Sequence, residues 1–243
     1  MKKTIQAILG WMLLLTGGCS TRDTGEAVIE TELIDAAGKV FLLQEMDTRT
    51  VRTVDSVVIG PDGRHTFRLA VAQTGFWLLG APTGKVLVLM LSPGDHVKVS
   101  GSATGFPDHI ELAAPEETMA LQAFFAQTRL NERKVDSLEM LIADHQEDEN
   151  FYEFTKSLEP VFRQISEDQR YLAIGFIDRH LSSIGSLVVL NYAFGLSPVL
   201  SPAEDSAIYR RVDSALSSRY PDNKHVRYHH DRMQRQGAPA ENH

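Results

Sequence analysis

Nine histidines are the first residues in this chain that could do chemistry, and three of them, His225, His229 and His230, gather within six positions near its end. His225 and His229 lie four apart in a stretch with helical spacing, so they share one helix face. His230 and Asp231 follow. Two imidazoles can begin a zinc site, but zinc takes three or four converging ligands. Arg227 and Arg232 also set positive charge beside them. No metal is therefore expected. His225 and His229 are the one pair that could ligate an ion, and the stretch is expected to be a solvated helix. Asp178-Arg179-His180 lies close to Ser182, Ser183 and Ser186, yet a triad is set by geometry in space rather than by closeness in sequence. There is no Gly-x-Ser-x-Gly elbow, no Walker-type loop and no Gly-x-Gly-x-x-Gly after a strand. The paired acids Glu116-Glu117 and Asp148-Glu149 fall at a helix start and in a loop, where helix polarity and solubility account for them. No catalytic residue and no cofactor is expected. A cryptic hydrolase built on the His-rich segment is the least supported alternative.

Cys19 is the only cysteine in 243 residues. An intramolecular disulfide, a Cys-x-x-Cys pair and a cysteine-based zinc site are all excluded for these residues. Met1-Lys2-Lys3 is basic, residues 5–15 are apolar and too short to span a bilayer comfortably, and Gly17-Gly18 precede the cysteine. Residues 1–18 thus have the order of a secretory signal. The run Leu13-Leu14-Leu15-Thr16-Gly17-Gly18-Cys19 resembles a bacterial lipobox, with Thr16 where Leu is usual. It implies lipidation of Cys19 as the first mature residue and a membrane anchor through that lipid. Ser20, rather than Asp, then favours the outer membrane, facing the periplasm. The alternative is a plain signal cut near Gly18, which would leave a free thiol in an oxidising compartment. Residues 19–25 are small and polar and are expected to form a tether.

Removing the signal leaves roughly 220 residues, enough for one large or two small domains. Hydrophobic residues make up 43% and charged residues 23%, as in ordinary globular proteins. Lys2 and Lys3 would leave with the signal and no acid with them, taking the formal net charge from −8 to about −10. Such an acidic body argues against nucleic acid as a partner.

Residues 26–114 alternate in short β-branched runs near 27–33, 39–44, 49–59, 65–69, 75–81, 84–91, 96–100 and 108–112. Gly60-Pro61-Asp62-Gly63 is a turn, with Gly63 taking the positive φ, and is expected to close a hairpin between its flanking strands. Val86 to Leu91 is apolar at every position, so that strand should be covered on both faces. Phe76 and Trp77 are expected in the core. Pro115 opens a helical regime that runs to residue 236. Long helices are expected after Pro115 and over 151–181, with a kink or boundary at Pro160. A further helix is expected over 187–194, another from a capping box at Ser201-Pro202-Ala203-Glu204 to about Arg219, and a last basic one to Gln236. Residues 237–243 are expected to be a frayed tail. The predicted class is α+β: an antiparallel β-sandwich or partial barrel followed by an all-helical region.

The run Val54-Asp55-Ser56-Val57-Val58-Ile59-Gly60-Pro61-Asp62-Gly63-Arg64-His65-Thr66-Phe67 resembles the hairpin of a β-sandwich domain of unknown function. That domain opens envelope lipoproteins related to TlpA and ResA, the thioredoxin-like disulfide reductases. Leu91-Ser92-Pro93-Gly94-Asp95-His96-Val97-Lys98-Val99-Ser100-Gly101 is similar to its closing strand pair. Phe176-Ile177-Asp178-Arg179-His180-Leu181-Ser182-Ser183 resembles a helix join in the region those proteins place next, with Leu181 replacing the usual proline; residues 209–233 are similar to its final helices. In that family a thioredoxin-fold domain with Cys-x-x-Cys follows, whereas this chain carries no cysteine beyond Cys19. The resemblance implies an envelope binding or interaction module without redox activity of its own, with a thioredoxin-like envelope protein as a possible partner. The alternative is a reductase-family chain whose catalytic domain is missing or separately encoded.

Overall fold

The computed structural model describes residues 25–237. The signal at 1–18, Cys19, the tether up to residue 24 and the tail from residue 238 lie outside the described residues. Eight strands come first: β1 (Glu26–Ile34), β2 (Val40–Met46), β3 (Val51–Val58), β4 (Arg64–Ala70), β5 (Gly75–Gly80), β6 (Val86–Leu91), β7 (His96–Ser102) and β8 (Ile110–Ala113). They form two four-stranded sheets, ordered β4-β1-β7-β8 and β3-β2-β5-β6. Every pairing is antiparallel except β1 with β7. Inward side chains at period two, among them Ile29, Phe41, Phe67, Trp77, Leu89 and Val97, fill the space between the sheets.

The turn at residues 60–63 forms, but it does not close a hairpin. Gly63 donates its N–H to the Gly60 carbonyl at 3.0 Å and holds φ +71°. Its own carbonyl accepts the Leu33 N–H of β1 at 2.8 Å. That bond steers the outgoing chain to β1, so β3 and β4 fall in different sheets. Likewise β6 and β7, which flank the Ser92–Asp95 turn, do not pair with each other. A Cβ on Gly63 would lie 2.3 Å from the Leu33 oxygen, while one on Gly38, at φ +76°, meets nothing within 4 Å. Gly38→Ala is therefore expected to cost about 1 kcal/mol, the left-handed backbone penalty alone. Gly63→Ala should cost about two to three times that. Urea unfolding of both variants checks the difference, and equal costs would remove the steering role given to Gly63.

The apolar strand β6 is covered on both faces. Leu87, Leu89 and Leu91 enter the sandwich, while Met90 packs with Phe76 in a second core shared with the helices. The free edge of β6 is blunted by α1 (Glu116–Asp144). Thr118 Oγ1 donates to the Met90 carbonyl and accepts the Met90 N–H, and Gln122 Nε2 donates to the Val88 carbonyl. Helix α2 (Phe151–Arg179) lies against α1, and a buried ladder joins them: Asn131 donates to Gln169, which donates to Thr128. Pro160 interrupts nothing, because α2 continues through it. It sits on the exposed face, where water can take the bond that its missing N–H gives up.

Two further expectations are corrected. Helix α3 (Gly185–Leu190) stops before residue 194, and β9 (Ala193–Phe194) and β10 (Ser197–Pro198) make a minimal hairpin around Gly195. Asn191 ends the helix by turning its side-chain amide back to the Leu187 carbonyl. Helix α4 (Ser206–Arg219) begins after the proposed capping box rather than within it. Ser201 Oγ does accept the Glu204 N–H, but the acid that reaches back to the Ser201 N–H is Asp205. Asp205 is buried and also pairs with Arg170 of α2. The Arg170 guanidinium holds its carboxyl below the usual range. Helix α5 (Lys224–Gly237) closes the described chain and takes in Gly237, the first residue of the expected tail.

Candidate functional site

Helix α5 is pinned to the sandwich by its first turn. Asn223 caps it, accepting the His225 and Val226 N–H groups, and donates its amide to the Thr74 carbonyl at 2.7 Å. Lys224 Nζ reaches Glu45 at 2.6 Å and Asp47 at 3.3 Å, at the end of β2. Lys224 lowers the pKa of Glu45, and the Thr48 backbone N–H followed by Lys224 lowers that of Asp47. The anchoring turns the helix inward. His225 is 8% and His229 4% exposed, so the helix is not the solvated one its composition implied.

Both imidazoles pack on aromatic rings, His225 edge-on to Phe76 at 5.0 Å and His229 against Tyr209 at 6.2 Å. The Nε2 atom of each is buried and has no hydrogen-bond partner among the described residues. Burial, reinforced by the Lys224 charge, pushes the His225 pKa down to about 4. Burial also lowers the pKa of His229. At pH 7 the pair is neutral.

The two histidines line a cavity of about 320 Å³ where β2, β5, α3 and α5 meet. Met46, Phe76, Leu187 and Val188 give it an apolar side. Thr48, Asn191, Tyr228 and Arg232 give it a polar one, with Asp47 at the wall. Arg232 donates to Asn191 Oδ1 at 3.3 Å and has no carboxylate within ion-pair distance among the described residues. Arg49 lies over the Tyr228 ring, 5.5 Å from its centre. His225 and His229 do share a helix face, but no three His, Cys, Asp or Glu side chains converge to hold a metal among the described residues.

The other expected groups are dispersed. Asp178 pairs with Arg211 at 2.8 Å. His180 lies on Phe176, Ser186 donates to the His180 backbone carbonyl, and Ser183 turns toward Met90. His230 takes its carboxylate from Asp213 of α4 at 3.0 Å rather than from its neighbour Asp231. A second cleft, about 480 Å³, opens along the sandwich edge beside Trp77, whose indole nitrogen is buried without a partner. Its cations are already matched: Arg52 and Lys224 by Glu45, Arg68 by Glu26. Arg232, Tyr228 and Asp47 carried no distinguishing signal as site residues. Arg232 counted only against a bound cation, which is the same observation as favouring an anion.

No protein-family model and no curated protein matches the chain. Among the described residues no helix is long and apolar enough to cross a membrane.

Proposed function

We propose that this chain is a lipid-anchored binding and interaction module of the cell envelope, without redox activity of its own, that serves a thioredoxin-like system as an accessory. The observation that carries the binding role is the junction cavity, where the half-buried Arg232 stands beside an apolar lining and has no carboxylate partner among the described residues. Buried polar groups are ordinarily satisfied, and exceptions concentrate where a ligand or water belongs. The anchor rests on Cys19 and its lipobox-like setting. The non-redox reading rests on Cys19 having no second cysteine to pair with in these residues, since a dithiol/disulfide couple takes two. A hydrolase is disfavoured because no serine or cysteine lines the cavity that holds His225 and His229.

Crosslinking in intact envelopes followed by affinity purification tests the accessory role, and a thioredoxin-like protein is the expected co-purifying partner. Repeated recovery without any redox protein counts against it. Insulin reduction or thiol oxidation by the purified mature chain carrying Cys19→Ser would sink the non-redox assignment. The second reading, a separately encoded catalytic domain, is favoured by the family-like body. It predicts a thioredoxin-like open reading frame next to this one.

A further inference from the structure

We infer that the junction cavity takes a small monoanion with an apolar body, an aryl or short acyl carboxylate, and that Arg232 receives its charged end. This rests on the binding-module proposal and adds the chemistry of the ligand.

Size sets the first limit. About 320 Å³ is the volume of about ten liquid waters, hence roughly ten non-hydrogen atoms. Polarity sets the second. Met46, Phe76, Leu187 and Val188 supply surface for hydrocarbon, while Arg232 and Asn191, bonded to each other, supply the polar contacts. A ligand matched to both has one apolar end and one oxyanion end.

Charge sets the sign. Asp47, the only acid at the wall, is already paired with Lys224. The two imidazoles are neutral at pH 7 and neither attract nor repel strongly. Arg232 is therefore the uncompensated charge, half-buried and bonded only to a neutral amide among the described residues. A guanidinium in that state is suited to a carboxylate, which it can hold through two parallel N–H donors. Arg49, over the Tyr228 ring, adds positive potential at the rim. One inner cation matches one negative charge better than two. The sandwich-edge cleft lacks this imbalance, since each of its cations has a carboxylate.

Phenylacetate, its neutral isostere phenylacetamide, and phenyl phosphate are the probes, titrated into the mature chain at pH 7 and low salt by calorimetry. Phenylacetate should bind at least tenfold more tightly than the amide and more tightly than phenyl phosphate. Arg232→Gln should bring acid and amide within twofold of each other, while Arg211→Gln, which pairs with Asp178 and does not line the cavity, should change neither. Proton NMR of the His225 and His229 rings in the unaltered chain gives a readout independent of any variant's folding: phenylacetate should shift both. Equal affinity for acid and amide overturns the anion assignment. Tighter binding of phenyl phosphate overturns the monoanion class. No binding of any probe to a natively folded chain, with unmoved imidazole signals, overturns the site. A thioredoxin-like partner recovered alongside a negative titration would leave the module standing and remove only this inference. Reductase activity alongside a positive titration would do the reverse.

Discussion

Phe124→Ala is expected to lower stability by about 3–5 kcal/mol, the cost of truncating a fully buried phenylalanine and leaving a void. Phe124 is 2% exposed and sits where three segments converge. Its ring meets Phe176 of α2 at 5.6 Å, Tyr192 beyond α3 at 5.6 Å and Phe125 at 5.7 Å, all edge-on. Such pairs add to burial alone. The consequence is regional, because the molecule has two cores. The sandwich core is filled by the strands, while Phe124 belongs to the core between β5, β6 and the helices. Amide hydrogen exchange should therefore show α1, α2 and α3 opening at lower free energy, with β1 and β7 keeping their protection. Phe41→Ala, in the sandwich, should cost a similar amount but deprotect the strands. A loss below about 1.5 kcal/mol for Phe124→Ala, or uniform deprotection in both variants, would contradict the two-core division.

Strand content and class were legible because period-two alternation and Gly/Pro turns act locally. Val86 to Leu91 announced its double burial through unbroken apolar character. Strand partnership was not legible. The turn at residues 60–63 looks the same whether its strands pair or part, and the deciding bond, Leu33 N–H to the Gly63 carbonyl, joins residues thirty positions apart. The same holds at the site. His225 and His229 were found by their spacing, but their burial was not. Alpha5 is basic and polar in composition, and its inward face is made by anchors on distant residues: Asn223 to Thr74, and Lys224 to Glu45 and Asp47. Composition describes the side chains of a helix, whereas burial depends on what that helix is tied to.

Between pH 6.5 and pH 4 the chain is expected to lose about 3 kcal/mol through His225 alone, from a pKa near 4 in the fold against 6.5 in the unfolded chain. Well above 6.5 the imidazole is neutral in both states and contributes no pH dependence. As pH falls from 6.5, the unfolded chain takes up a proton that the folded chain refuses, so folding becomes less favourable. Below about 4 both states are protonated and the loss is complete. His229, also lowered by burial, adds to the same window. The charges around the pair do not cancel the effect. Lys224 opposes protonation of His225, with Asp47 and Glu45 pulling the other way; Arg232 and His230 oppose protonation of His229, with Asp213 favouring it. Burial exceeds each of these influences. The carboxylates act in a separate window: Glu45, Asp47 and Asp205 have lowered pKa values, so their contributions are present above the ordinary carboxylate range and lost only as pH falls through their folded values. The two effects can be told apart with His225→Phe/His229→Phe, which keeps ring contacts with Phe76 and Tyr209 but cannot titrate. Its stability at pH 7 should lie within about 1 kcal/mol of the parent, because it also removes two unpartnered nitrogens. Its urea midpoint should stay nearly flat from pH 6.5 to 4.5, where the parent's falls, and both should drop together below pH 4. A parent midpoint that is flat above pH 4.5, or a double variant that falls as steeply, would mean that the imidazoles are hydrated in solution. Such hydration would contradict the seating of α5 on β5 and with it the cavity between them.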